Sequence, residues 1–341
     1  MHSHIQSSRH IGLFTHINPD GDALGSTLGL LGYIRETGRE CHIFLPGEPG
    51  ESLEFMIPED ARKHLIIWKK DNLEEIRNLI SSCDLLFGMD FNVPDRIGEY
   101  AGLFKESKAY KILIDHHVGP ARECFDMVFS DPKASSACEL TYRLLKQMPD
   151  IGGDASKMSL LTREALMTGM TTDTNNFANS ATPETFMMAS ELLAAGTDRD
   201  KILQNLFFCY PQRRIKAQGY LLHRAMRITP DGVAIMVIDR CFQRRYRLKD
   251  GDTEGFVNIP LSIKEVKMSI LLKREPDSKK VRVSLRSKKG VSARSCAMKY
   301  FNGGGHEQAS GGRLMIGQDI SSMTDLYRYV EKCTHKFFME Q

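Results

Sequence analysis

Short apolar runs alternate with helix-forming stretches through the first half of this chain, and few architectures satisfy that alternation. His10–His16 (HIGLFTH) reads as a strand and Asp22–Thr37 as a helix stopped by Gly38. Cys41–Leu45, Asp84–Met89 and Tyr110–Ile114 read as further strands. Each is a short apolar run bounded by polar residues, as strands covered by helices on both faces are. Helices are expected over Ser135–Met148 and Met158–Thr168. The expected class is therefore α/β, with a mostly parallel sheet in a first domain spanning residues 1–195. Thr182-Pro183 places a capping hydroxyl before a proline at the first helical position, and that helix should end at Gly196. Asp198 then caps another helix and Pro211–Met226 is helical, so residues 196–226 read as a helical linker. From Gly232 the texture changes. Val233–Ile238, Val266–Lys273 and Val281–Arg286 read as strands, Glu275–Ser278 as a turn and 291–301 as a helix. A glycine-rich loop, Asn302–Gly312, and a final helix, Ser321–Phe338, complete a smaller α/β domain over residues 227–341.

The 341 residues suffice for two such cores, and 41% apolar with 26% charged residues is the balance of a soluble globular chain. No apolar run approaches the roughly 20 residues of a membrane-spanning helix. The opening MHSHIQSSRHIGLF does not read as a secretory signal. Eight cysteines are scattered without a CxxC pair, which argues against a cysteine zinc site and suits a reducing cytoplasm. The net charge of +3 is too small to point to a general nucleic-acid binder, but its distribution is uneven. Residues 264–299 carry a net +9, and the remainder carries −6. A basic C-terminal patch beside an acidic N-terminal part suggests an anion held by one and cations by the other. A solvated, lysine-rich hairpin is the plainer account of the same charges.

The chemistry-bearing residues collect where strands end, which is where open α/β sheets bind ligands. Directly after the first strand, His16, Asp20 and Asp22 fall within seven residues. Asp22 alone would serve as a helix cap and Asp20 as a turn residue with Gly21. The strand Asp84–Met89 ends in Asp90, and KILI runs into Asp115-His116-His117. Asp173 sits in a small polar cluster, TGMTTDT, expected to follow a helix. Burying that many carboxylates without counter-charge would cost several kcal/mol each, a cost divalent cations remove. Carboxylate and imidazole ligands without thiolate favour Mn²⁺, with Mg²⁺ as the alternative. Two cations about 3.5–4 Å apart are the usual arrangement for phosphoester hydrolysis.

The motifs HxxxDxDAxGS, a strand-end Asp, DHH and TGMxTDT, in this order over nearly the whole chain, resemble the DHH phosphoesterase superfamily. SLRSK, GGGH and EGFVNIP resemble its associated C-terminal domain, in the branch of oligoribonucleases that also dephosphorylate 3′-phosphoadenosine 5′-phosphate. The resemblance implies that His16, Asp20 and Asp90 hold one cation, and that Asp22, Asp90, His116 and Asp173 hold the other, with Asp90 bridging. It implies that Asp115 orients a ligand histidine and that His117 faces the substrate phosphate. Arg286, Gly303, Gly304, Gly305 and His306 would bind the rest of the substrate, the glycines by bringing backbone N–H groups close to a phosphate. The expected substrate is a short single-stranded RNA or a nucleotide, held in a cleft between the domains, with no membrane partner and a homodimer left open. One departure is that Asn175-Asn176 stands where relatives carry a glycine, and asparagine tolerates the left-handed backbone that such a turn needs. Cyclic-dinucleotide phosphodiesterase is the rival enzyme reading, and a nucleotide-binding module without turnover is the non-enzyme one. Family-II pyrophosphatases share the metal motifs but lack GGGH and EGFVN, and exopolyphosphatase-like is an older name that fits such a chain.

Overall fold

The computed structural model describes residues 1–249, 251–275 and 278–340, with the Lys70 side chain excepted. Pro276 and Asp277, at the centre of the turn expected over 275–278, lie outside the described residues. The chain divides into two compact units, Met1–Cys209 and Tyr210–Gln341. The helix Arg199–Phe207 falls in the first unit and Gln212–Tyr220 in the second.

The first unit is built on six strands: β1 (His10–Thr15), β2 (Glu40–Leu45), β3 (Leu65–Ile67), β4 (Leu85–Met89), β5 (Tyr110–Asp115) and β6 (Met127–Ser130). Their order is β3-β2-β1-β4-β5-β6, and every pairing is parallel. The chain winds outward from β1 to β3, then returns to lay β4 beside β1 and winds outward the other way. The carboxyl ends of β1 and β4 therefore flank the point where strand order reverses, the usual ligand position in such sheets. Sequence reading missed the edge strands β3 and β6, which at three and four residues are too short to show a period.

Two antiparallel helices, Gly21–Glu36 and Leu160–Asp173, pack tightly enough to exclude side chains between them. A Cβ on Gly25 would lie 2.6 Å from the Ala165 carbonyl oxygen, and one on Gly32 would lie 2.5 Å from Thr162 Oγ1. That stripe of glycines is what brings Asp22, at the start of one helix, towards Asp173, at the end of the other. TGMTTDT does not follow a helix, as expected; it forms the last turns of Leu160–Asp173. The Thr168 and Thr171 hydroxyls donate to the carbonyls of Glu164 and Met167, so a polar-looking string satisfies itself within the helix.

The second unit holds β7 (Arg227–Ile228), β8 (Val233–Ile238), β9 (Met268–Arg274), β10 (Lys280–Ser287), β11 (Gly304–Gly305) and β12 (Ala309–Met315). Their order is β11-β12-β10-β9-β8-β7; β8 and β9 pair parallel, and the other pairings are antiparallel. Helices Ala293–Tyr300 and Leu326–Met339 cover one face through Val281, Val283 and Leu285. On the other face, Phe242, Phe256 and Val257 cover Met236 and Leu271, and the segment Phe256–Ser262 also packs against β10. Arg214, 6% exposed, pins the segment before Phe256 by donating to the carbonyls of Gly251, Asp252 and Glu254.

The expected glycine-rich loop is a tight hairpin, β11–β12. A Cβ on Gly303 would sit 1.9 Å from the Gly311 carbonyl oxygen, whereas around Gly304 nothing lies within 4 Å. Backbone crowding thus demands glycine at 303, and only Gly304 keeps open space before it. Gly303→Ala should accordingly cost about 2–3 kcal/mol of stability. Gly304→Ala should stay within about 0.5 kcal/mol. Equal melting temperatures for the two variants would refute the packing account.

Candidate metal centre

Three neighbouring strands deliver their charged residues to one end of the sheet. β1 runs into His16, β4 into Asp90 and β5 into Asp115 and His116. Asp90 takes φ 61°, an uncommon backbone conformation for a residue other than glycine, while its N–H still donates to the Ile114 carbonyl at 3.0 Å. This turns the carboxylate across the strand ends. Asp90 Oδ2 lies 3.4 Å from His16 Nε2, and Oδ1 lies 3.5 Å from His116 Nε2. Nδ1 of His16 lies 2.9 Å from the Ile17 carbonyl, which puts the proton on Nδ1 and directs the Nε2 lone pair at the cluster.

The helix Gly21–Glu36 supplies the next two carboxylates. Asp20, not Asp22, is its cap: Asp20 Oδ1 accepts from the backbone N–H of Asp22 and Ala23. Asp22 is 1% exposed and accepts from Ala137 N at 2.6 Å and Cys138 N at 2.8 Å, the amino end of helix Ala137–Lys146. Amide dipoles at a helix start favour the ionised carboxylate and fix its orientation. Asp22 Oδ2 remains 3.7 Å from His116 Nε2, as does Asp173 Oδ2. One ligand atom each from His16, Asp20 and Asp90 lie within 4.8 Å of one another, and so do those of Asp22, Asp90 and His116. Asp90 belongs to both sets.

Charge in this pit is poorly balanced by protein alone. Burial first, then Asp22 and Asp20, push the Asp90 carboxyl well above its usual range. Burial likewise raises Asp22. Burial opposes a charged His116, yet Asp90, Asp22 and Asp173 push its pKa up to about 9. Asp90 Oδ1 is buried and has no hydrogen-bond partner among the described residues. A carboxylate oxygen with no donor, amid acids and imidazoles, suits divalent cations, which would replace the proton on His116.

Asp115 is fully buried and its Oδ1 lies 2.7 Å from His117 Nδ1, so it orients His117. His116 Nδ1 faces the Ala134 carbonyl at 3.4 Å. Asn175 and Asn176 take φ 47° and 55°, the left-handed turn expected of them after Asp173. Arg286 Nη1 donates to the Leu285 carbonyl, and the Gly303–His306 stretch belongs to the second unit. Sequence reading missed Glu139, buried beneath the site and accepting from Ser135 Oγ and Thr185 Oγ1. The Ser136-x-x-Glu139 spacing was the available signal.

Fold and site together define an α/β protein with a candidate carboxylate–imidazole metal site at a sheet switch point. Residues 10–170 match the DHH family N-terminal domain and residues 232–332 the DHHA1 domain. This chain belongs to the DHH family. It is 28% identical to the "Bifunctional oligoribonuclease and PAP phosphatase NrnA" of Thermus thermophilus, over 89% of this chain and 84% of that protein. It is 27% identical to the "Cyclic-di-AMP phosphodiesterase GdpP" of Bacillus subtilis, over 89% of this chain but 44% of that protein. The crystal structure of an exopolyphosphatase-related protein from Bacteroides fragilis superposes with a TM-score of 0.89 at 32% identity, covering 98% of this chain and 94% of that one.

Because burial and the neighbouring acids disfavour a charged Asp90, a neutral amide in its place should relieve the cation-free protein. Asp90→Asn is expected to raise its melting temperature by a few degrees, about 1 kcal/mol. The same variant should lose most of the stabilisation that Mn²⁺ gives the wild type. An undiminished Mn²⁺ response would remove Asp90 from the ligand set.

Proposed function

We propose that this protein is a two-cation phosphoesterase hydrolysing short oligoribonucleotides and 3′-phosphoadenosine 5′-phosphate. The observation that carries the reading is Asp90, whose two oxygens face two separate ligand groups. His16, Asp20 and Asp90 hold one cation; Asp22, Asp90, His116 and Asp173 hold the other, Mn²⁺ in preference to Mg²⁺. When bound, such a pair supplies an activated water and offsets charge on the phosphoryl oxygens. Asp22 keeps its orientation through the Ala137 and Cys138 amides. His117 contacts the phosphate undergoing attack. Burial foremost lowers its pKa despite Asp115, so at neutral pH it presents a neutral ring fixed through Nδ1. Arg286, the backbone at Gly303–Gly305 and His306 anchor the remainder of the substrate. Catalysis is assigned to residues 1–195, with 196–226 as the connection and 227–341 as the anchoring domain. The name of the Thermus thermophilus relative supports the substrate choice.

Among the described residues no helix is long and apolar enough to cross a membrane. Eight cysteines, all free, support a reducing cytoplasmic setting, and a homodimer is compatible with the reading. The likeness to the cyclic-di-AMP phosphodiesterase favours cyclic dinucleotides or their linear products as the second reading.

A turnover panel with Mn²⁺ decides between them: RNA of about two to five nucleotides, a strand of about two dozen, the bisphosphonucleotide, cyclic dinucleotides and pyrophosphate. The expected result is kcat/KM at least about tenfold higher on the short RNAs than on the long strand, with phosphate released from the bisphosphonucleotide. Turnover confined to cyclic dinucleotides would promote the second reading. His117→Ala should lower kcat by about a hundredfold. Arg286→Ala and His306→Ala should mainly raise KM, and identical kinetic signatures for all three would overturn these roles.

A further inference from the structure

The register of the second sheet sets cations side by side where a stable sheet would avoid them. Arg282 on β10 stands directly opposite Lys273 on β9 and Arg313 on β12. Directly opposed like charges destabilise a strand pair. Side chains of alternate residues share a face, so Lys280, Arg282, Ser284 and Arg286 line the same side of β10. On this side the segment Phe256–Ser262 covers β9 and also reaches β10. Arg282 and Arg313 are exposed there, and the floor beside Ser284 and Arg286 is Gly311 and Ala309, which put almost nothing above the backbone. Among the described residues Glu275 lies 3.2 Å from Arg313 Nη2.

We propose that this face is a phosphate track. It continues from Arg286 along β10 to Arg282 and Arg313, and binds the second and later phosphates of an oligoribonucleotide whose end is being cleaved. The inference rests on the function proposed above and names the residues that read substrate length. From Arg286 to Arg282 is four residues of strand, about 13 Å, a span suited to a short extended oligonucleotide. Ser284, between the two arginines, adds a hydroxyl donor at the midpoint. The smooth glycine–alanine floor lets a sugar–phosphate chain lie close to the sheet. A bisphosphonucleotide, lacking later phosphates, would engage Arg286 without reaching the row.

The test compares Arg282→Ala, Arg313→Ala and the double variant with wild type and with Lys289→Ala, which removes an exposed cation from the turn beyond β10. Turnover is measured on the bisphosphonucleotide, a dinucleotide and a five-nucleotide RNA. Affinity for a labelled five-nucleotide RNA is measured in divalent-free buffer across a salt series. The expected result is a five-mer to dinucleotide kcat/KM ratio that drops roughly fivefold to tenfold in each arginine variant, more in the double. The salt slope of log affinity should fall by about 0.7 for each phosphate deprived of its arginine. A loss equal for all substrates, no loss, or the same loss in Lys289→Ala would overturn the track. Normal oligonucleotide turnover insensitive to Arg282 would sink the track and keep the function. Arg282-dependent binding without turnover would keep the track and sink the function, and absence of both would sink both.

Discussion

Buried negative charge at the carboxyl ends of β1, β4 and β5 is the constraint around which the first unit is arranged. Asp22, Asp90 and Asp115 are all essentially inaccessible, and each is held by a different means. Asp22 rests on two amides at a helix start, and Asp115 bonds His117. Asp90 has histidines on both sides at distances too long for good hydrogen bonds. A protein-only solution would neutralise these groups by protonation, as the raised pKa values of Asp90 and His116 indicate. Cations resolve the same imbalance without protons, and this is the physical reason for treating the cluster as a metal centre.

Other features of the unit follow from that need. The glycine stripe between helices Gly21–Glu36 and Leu160–Asp173 gives up side-chain packing to bring Asp22 and Asp173 within reach of one imidazole. The left-handed Asp90 backbone is tolerated because the β4–β5 ladder continues through its N–H. Glu139, bonded to Ser135 and Thr185, ties the helix that holds Asp22 to the helix Pro183–Ala194.

The second unit follows the opposite electrostatic rule. One face of its sheet gathers cations, and its glycines divide into two kinds. Gly303 is required by backbone crowding, and Gly304 is open to its surroundings. Three consecutive glycines read in the sequence as a device for admitting phosphate, and open space lies only before Gly304. That reading passed over the hairpin that accounts for the rest.

Strand-end positions of His16, Asp90 and Asp115-His116-His117 were legible in the sequence, because short apolar runs give way there to charged groups. So were the parallel α/β character, the helix caps at Thr182 and Asp198, and the asparagine pair in a left-handed turn. These depend on local preference and on periods of a few residues. Which of the two carboxylates also caps the helix was not legible. Asp20 and Asp22 are chemically alike, and only the arrival of Ala137 and Cys138 from more than a hundred residues away separates them. The bond between Asp115 and His117, the helical state of TGMTTDT and the alignment of Lys273, Arg282 and Arg313 were equally hidden. Each is fixed by long-range register and close packing, which place residues together that local sequence keeps apart.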